Sequence, residues 1–194
     1  MPNVLIPLAN GVEEMEAVIM IDVLRRAQWK VVTAGIDDGV VTASRGVRLV
    51  PDQPWANLDP SEFDVLMIPG GGPGVERLLK EPRFLETIRE FSRAGKWIGA
   101  ICAAPLTLQA AGILQGKRVT CHPAVAASLT ATPRLDDRVV VDGHLVTSQG
   151  PGTSMEFALT LVRLVDGAEI ARSLAQSMGV RIHESDARTD PSQP

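Results

Sequence analysis

The sequence predicts an α/β fold: a mostly parallel central sheet with helices on both faces. Short apolar runs alternate with amphipathic ones along most of the chain, as strands joined by crossover helices do. The run "FDVLMIP" is continuously apolar, which suits a strand covered on both sides. Glycine and proline punctuate the joins where helices should start and stop.

The elements follow in order. "NVLIPL", Asn3 to Leu8, is the first strand, and Val12, Met15, Val18, Ile19, Val23 and Leu24 then recur near helical spacing from Glu13 to Ala27. "WKVVTAGI" is a second strand. "DDGVVTASRGVRLVP" alternates, with turn residues at Asp38-Gly39 and Gly46, as a small antiparallel excursion would. Phe63 to Pro69 resumes the core and "GGGPG" after it reads as a tight turn. Pro82 opens a helix whose buried stripe is Phe84, Leu85, Ile88 and Phe91, ended by Gly95. "WIGAIC" is the next strand, Pro105 to Gly112 a short helix, and "RVTCHP" a further strand. "RVVVDGHLVTS" carries Asp142-Gly143 between two β-rich runs and predicts a hairpin. "SMEFALTLVRLVDG" and "AEIARSLAQSMG" are two closing helices, and the polar "HESDARTDPSQP" is expected to fray. Residues 1–182 are expected to form one domain, with 183–194 a disordered tail.

At 194 residues the chain suits one hydrophobic core. Its 45% hydrophobic and 22% charged residues exclude disorder, and no apolar run is long enough to span a bilayer. "MPNVLIPLANGVEEME" lacks a basic leader and a cleavage site, so a reducing cytoplasm is the expected compartment. Cys102 and Cys121 are too few for a disulfide framework and lack zinc-site spacing, which leaves packing or thiol chemistry. A net charge of −4 without a Lys/Arg cluster argues against nucleic-acid or membrane-surface partners.

Ligands of open parallel sheets sit beyond the carboxyl ends of the strands. "CAAP" lies at one such end, and Ala100-Ile101-Cys102-Ala103-Ala104 obeys the small-x-nucleophile-x-small rule of a sharp strand-to-helix elbow. The elbow would present the sulfur and the N–H of Ala103 to the same space, favouring a thiolate; a buried, alanine-like cysteine is the alternative. "GGGPG" matches neither dinucleotide nor phosphate-loop patterns, but glycine at 70 and 71 permits close backbone approach and a second N–H donor. Glu13 and Glu14 are explained by the helix dipole. Glu16, if turned inward, would be desolvated and, when protonated, could donate to a thiolate. If His122 points at the site, Cys121 should point away from it, while His144 and His183 read as solvated bystanders.

Together "ANGVEEMEAV", "ASRGV", "IPGGGPG", "GAICAAPLTL", "VTCHP" and "DGHLVTSQGPGTSMEFAL" resemble the ThiJ/PfpI superfamily, in its DJ-one/YajL branch, over about residues 3 to 175. The resemblance implies a flavodoxin-like sandwich and a homodimer, with Met15 near its interface. It further implies Cys102 as nucleophile, Glu16 as a protonated carboxyl bonded to it and His122 as general acid/base. Gly71 and Ala103 would supply N–H donors, and Arg45 would reach the neighbouring subunit's site. Ala103 follows the nucleophile where protease-like members carry histidine, so a Cys-His protease dyad is absent. Gln149 stands where close relatives often have arginine, and Cys121 where threonine is usual. The expected activity is a cysteine-dependent enzyme acting on reactive carbonyls, free small aldehydes or glycated side chains, with no metal or organic cofactor. The alternative is a redox-sensing or chaperone-like stress protein whose thiolate is oxidised without turnover.

Overall fold

The computed structural model describes residues 1–181, and the polar tail anticipated at 183–194 lies outside them. Seven strands make the main sheet: β1 (Asn3–Leu8), β2 (Lys30–Gly35), β5 (Gln53–Pro54), β6 (Val65–Ile68), β7 (Trp97–Ile101), β8 (Val139–Asp142) and β9 (Leu145–Ser148). Their order is β5-β2-β1-β6-β7-β9-β8, with every pairing parallel except β8 on β9. β3 (Val41–Thr42) and β4 (Arg48–Leu49) form the separate antiparallel ribbon anticipated between the second strand and the core.

Among the described residues six α-helices flank the sheet: α1 (Glu14–Arg26), α2 (Gly72–Leu79), α3 (Pro82–Arg93), α4 (Pro105–Ala111), α5 (Ser154–Asp166) and α6 (Ala168–Ser177). Strand side chains alternate between two cores, because successive residues point to opposite faces. Val4, Ile6 and Leu8 of β1 join Met20 and Leu24 of α1 and Phe157 of α5 on one face. Leu5 joins Phe84, Ile88 and Phe91 of α3 and Leu108 of α4 on the other. Truncating a buried aromatic such as Phe157 to alanine would cost about 3–5 kcal/mol. Among the described residues no helix is long and apolar enough to cross a membrane.

Two local readings need correction. "RVTCHP" is not a strand: Val119 makes only an isolated bridge to Arg134. The N–H of Thr120 is taken by Thr147 Oγ1 at 2.9 Å and that of His122 by the Cys102 carbonyl at 2.9 Å. Donors committed to these acceptors cannot build a ladder. "GGGPG" is more than a turn, because it opens α2, with proline in the first turn and Val75 and Leu78 buried three apart.

The connectivity locates a crevice. From β1 the chain steps to β2 on one side and later returns to β6 on the other side of β1. This reversal parts the loops at the carboxyl ends of β1 and β6, where parallel sheets hold their ligands.

Candidate functional site

Cys102 follows β7 next to that crevice and has φ +64, one of two non-glycine residues with positive φ among those described. Such a backbone costs on the order of 1–3 kcal/mol and persists only where surroundings enforce it. Three hydrogen bonds do so: Cys102 N–H to the Ser148 carbonyl at 3.0 Å, His122 N–H to the Cys102 carbonyl at 2.9 Å, and Ala104 N–H to the Ile101 carbonyl at 2.9 Å. Ala100, Ala103 and Ala104 are buried in the α3/α4 core, so the small residues lie where larger ones would collide. Cys102 itself is half-buried and packs toward the opposite core.

Glu16 turns inward and is fully buried. The side chain of Glu13 caps α1 by accepting the Glu16 N–H at 2.8 Å, which fixes the first turn that carries the carboxyl. Glu16 Oε2 accepts the Gly70 N–H at 2.7 Å, whereas Oε1 is buried without a partner. A β-carbon on Gly70 would lie 2.6 Å from Cys102 Cβ and 2.7 Å from Glu16 Oε2, so only glycine admits both side chains here. The backbone N–H groups of Gly71 and Ala103 lie on the side of the Cys102 sulfur and act to lower the pKa of its thiol.

Burial first, then the charge of Glu13, raises Glu16 from 4.5 to about 7, against the opposing bonds from Gly70 and Cys102. The Cys102 thiol is not lowered while Glu16 is a carboxylate, contrary to the sequence expectation. Burial and then the Glu16 charge push it up to about 12, and the Gly71 and Ala103 N–H groups only partly offset them. A neutral Glu16 removes the second of those causes and converts the carboxyl from an acceptor into a donor beside the sulfur. The two groups therefore titrate as a pair, and ionisation of either depends on which holds the shared proton.

His122 is joined to the elbow through its backbone, and its ring lies against Gly150, where an added β-carbon would be 3.1 Å from His122 Cδ2. Its Nδ1 accepts the Ala124 N–H at 3.1 Å, so the neutral ring carries its proton on Nε2 and can act as a donor there. Cys121 is buried in the α3/α4 core, away from the side on which Cys102 packs, as anticipated. Gln149 is directed to the Asp136 carbonyl at 3.0 Å. Arg45 is exposed on the turn between β3 and β4 and has no carboxylate partner among the described residues.

The sequence reading missed three contributors. Glu13 is a cap, Ser148 braces the elbow, and Glu14 is a buried acceptor for the Arg45 turn. The capping signal was visible in the Glu13/Glu16 spacing. The other two depend on segments about 30 and 46 residues distant, which no local pattern encodes.

The chain is similar over most of its length to several known proteins. It is 40% identical to "Protein DJ-1 homolog B" of Arabidopsis thaliana over 91% of this chain but 41% of that protein, so it spans about two fifths of that relative's length. It is 39% identical to "Glutathione-independent glyoxalase DJR-1.2" of Caenorhabditis elegans, covering 86% of this chain and 89% of that one. An oxidized DJ-1 structure from Toxoplasma gondii superposes with a TM-score of 0.90 at 36% identity, covering 94% of this chain and 100% of that one. These likenesses bear out the flavodoxin-like fold and the superfamily resemblance. Residues 2–164 match the DJ-1/PfpI family model, and the chain belongs to that family.

Proposed function

We propose that this protein is a cysteine-dependent, cofactor-free enzyme acting on reactive carbonyls, of the glutathione-independent glyoxalase or protein deglycase type. The observation that carries the reading is the meeting of Cys102, a buried Glu16 with a pKa near 7, and two N–H donors at one strained elbow. The name of the nematode relative supports the same reaction class. Cys102 Sγ, ionised by giving its proton to Glu16, adds to the aldehyde carbon of methylglyoxal. The oxyanion so formed is held by the N–H groups of Gly71 and Ala103 and takes a proton from Glu16. Glu16 or His122 moves the proton from that carbon to the neighbouring one, which leaves a thioester of lactate. Water hydrolyses it, releasing lactate and the free thiol, so the net change is addition of one water.

The reading includes a homodimer, supported by Met15 and Val18 on α1 and Val47 beside it, which are 55%, 46% and 48% exposed. Arg45 lies on the same ribbon as Val47 and would supply a cation to the partner's site. Residues 1–182 act as one domain, and the cytoplasm, with its reducing thiol pool, is the proposed location.

Purified protein should convert methylglyoxal to lactate without glutathione; a Cys102→Ala variant that keeps the parent rate would refute the mechanism. A second reading, a redox sensor or stress protein, is favoured by the oxidized state of the Toxoplasma relative. A sensor would show stoichiometric oxidation of Cys102 by peroxide to sulfinic acid, read by intact mass, with no aldehyde turnover.

A further inference from the structure

Glu14 is a buried carboxylate that the mechanism does not use. It is only 7% exposed although it stands in the first turn of α1, where an acidic side chain needs no burial to complement the helix dipole. Its Oε1 accepts the Arg45 N–H at 2.8 Å and its Oε2 the Ser44 hydroxyl at 2.9 Å. Charge-assisted bonds of this length are the strong kind, and burial removes competing water. The same turn is closed by Ala43 N–H to the Val47 carbonyl at 2.9 Å and tied to the α1 approach by Ser44 N–H to the Val12 carbonyl at 2.8 Å.

The Arg45 backbone is therefore clamped while its guanidinium is left exposed and without a carboxylate partner among the described residues. Two residues apart on a helix, Glu14 and Glu16 point about 200° away from each other. Glu16 faces its own Cys102, so the Arg45 turn lies on the opposite side of the first turn of α1, with the exposed Val18 and Val47 of the proposed dimer face.

We propose that Glu14 is the positioning residue for Arg45, fixing the 43–47 turn so that its guanidinium favours anionic reactants at a Cys102 sulfur across the subunit interface. The inference rests on the reading of Cys102 as the reacting sulfur and of Arg45 as its neighbouring cation. Glu14 touches neither substrate nor sulfur and acts through Arg45 alone.

Alkylation of Cys102 in the full chain by iodoacetate and by iodoacetamide, followed by site-resolved mass spectrometry, tests it. Both reagents meet the same thiolate, so the ratio of their rates cancels its ionisation and reports the local charge. Arg45→Gln should lower the iodoacetate-to-iodoacetamide ratio about fivefold, the effect of one partly screened charge several ångströms away. Glu14→Ala should lower it by a similar factor, and the double variant no further than Arg45→Gln alone. Glu14→Gln, whose amide oxygen still accepts the Arg45 N–H, should recover most of the parent ratio. If Glu14→Ala fails to fold, Glu14→Met, which fills the same space without an acceptor for the Arg45 N–H, takes its place with the same expectation. A Glu14→Ala ratio equal to the parent's, with Arg45→Gln lowered, overturns the positioning role. An unchanged ratio in Arg45→Gln removes the cation and the inference with it. Failure of the parent Cys102 to react with either reagent is the distinct result that refutes the reactive-cysteine reading itself.

Discussion

Replacing Glu16 by glutamine isolates the shared proton on which the site depends. With the carboxyl raised to about 7, the first ionisation of the Glu16–Cys102 pair falls near neutral pH, and hydrogen bonding decides whether oxygen or sulfur carries the charge. Gly70 donates to Glu16 Oε2 and so favours the carboxylate, whereas the N–H groups of Gly71 and Ala103 favour charge on sulfur; the proposed mechanism uses the second form, a neutral acid beside a thiolate. In Glu16→Gln no acid can take the thiol proton, and burial holds the thiol at or above its ordinary 9.0. With that charge on sulfur, as the proposed mechanism requires, the ionised thiol fraction at pH 7 would fall from about one half in the parent to about 1% in the variant, close to 50-fold, equivalent to about 2–3 kcal/mol. The assay is the rate of iodoacetamide labelling of Cys102 from pH 5 to 10, resolved from Cys121 by peptide mass. The parent should show a midpoint near 7, and the variant one displaced upward by about two pH units. A variant midpoint equal to or below the parent's, or a parent with no rise in rate before pH 9, refutes the shared-proton argument.

Two further outcomes follow from the same contacts. Glu16 holds its proton more tightly folded than unfolded, so it adds stability that is complete below pH 4.5 and lost as pH rises through about 7. Urea unfolding between pH 5 and 8 should therefore show about 3 kcal/mol of decline in the parent, and Glu16→Gln should remove that slope. The lowered carboxyls of Asp37 and Asp142 act in the opposite sense and have finished titrating below this window. Ala104→Leu, at a fully buried position where β7 turns into α4, should cost about 1–3 kcal/mol in denaturant unfolding and abolish fast labelling of Cys102. Parent-like stability together with parent-like labelling would contradict the assigned role of the elbow.

Much of this architecture was legible because local chemistry dictated it. Asp142-Gly143 forced the hairpin of β8 and β9, Pro82 and Gly95 bounded α3, and small residues flanking Cys102 marked the elbow, since each reflects a backbone demand met within a few residues. "RVTCHP" misled because its buried Val119 and Cys121 alternate like a strand, while the acceptors that claim its N–H groups come from Cys102 and Thr147. α2 was hidden by glycines that disfavour helices in general but here permit backbone contact with the β1–α1 loop. A β-carbon on Gly74 would lie 2.8 Å from the Val12 nitrogen.

The sequence by itself determined the alternating elements, the two apolar faces of the sheet and the residue types able to form a reactive site. Which of Glu14 and Glu16 clamped a distant turn and which met the sulfur was decided only by tertiary structure. Local pattern fixes how often side chains recur on a face, but the identity of what that face meets is set when β1, β6 and β7 come together.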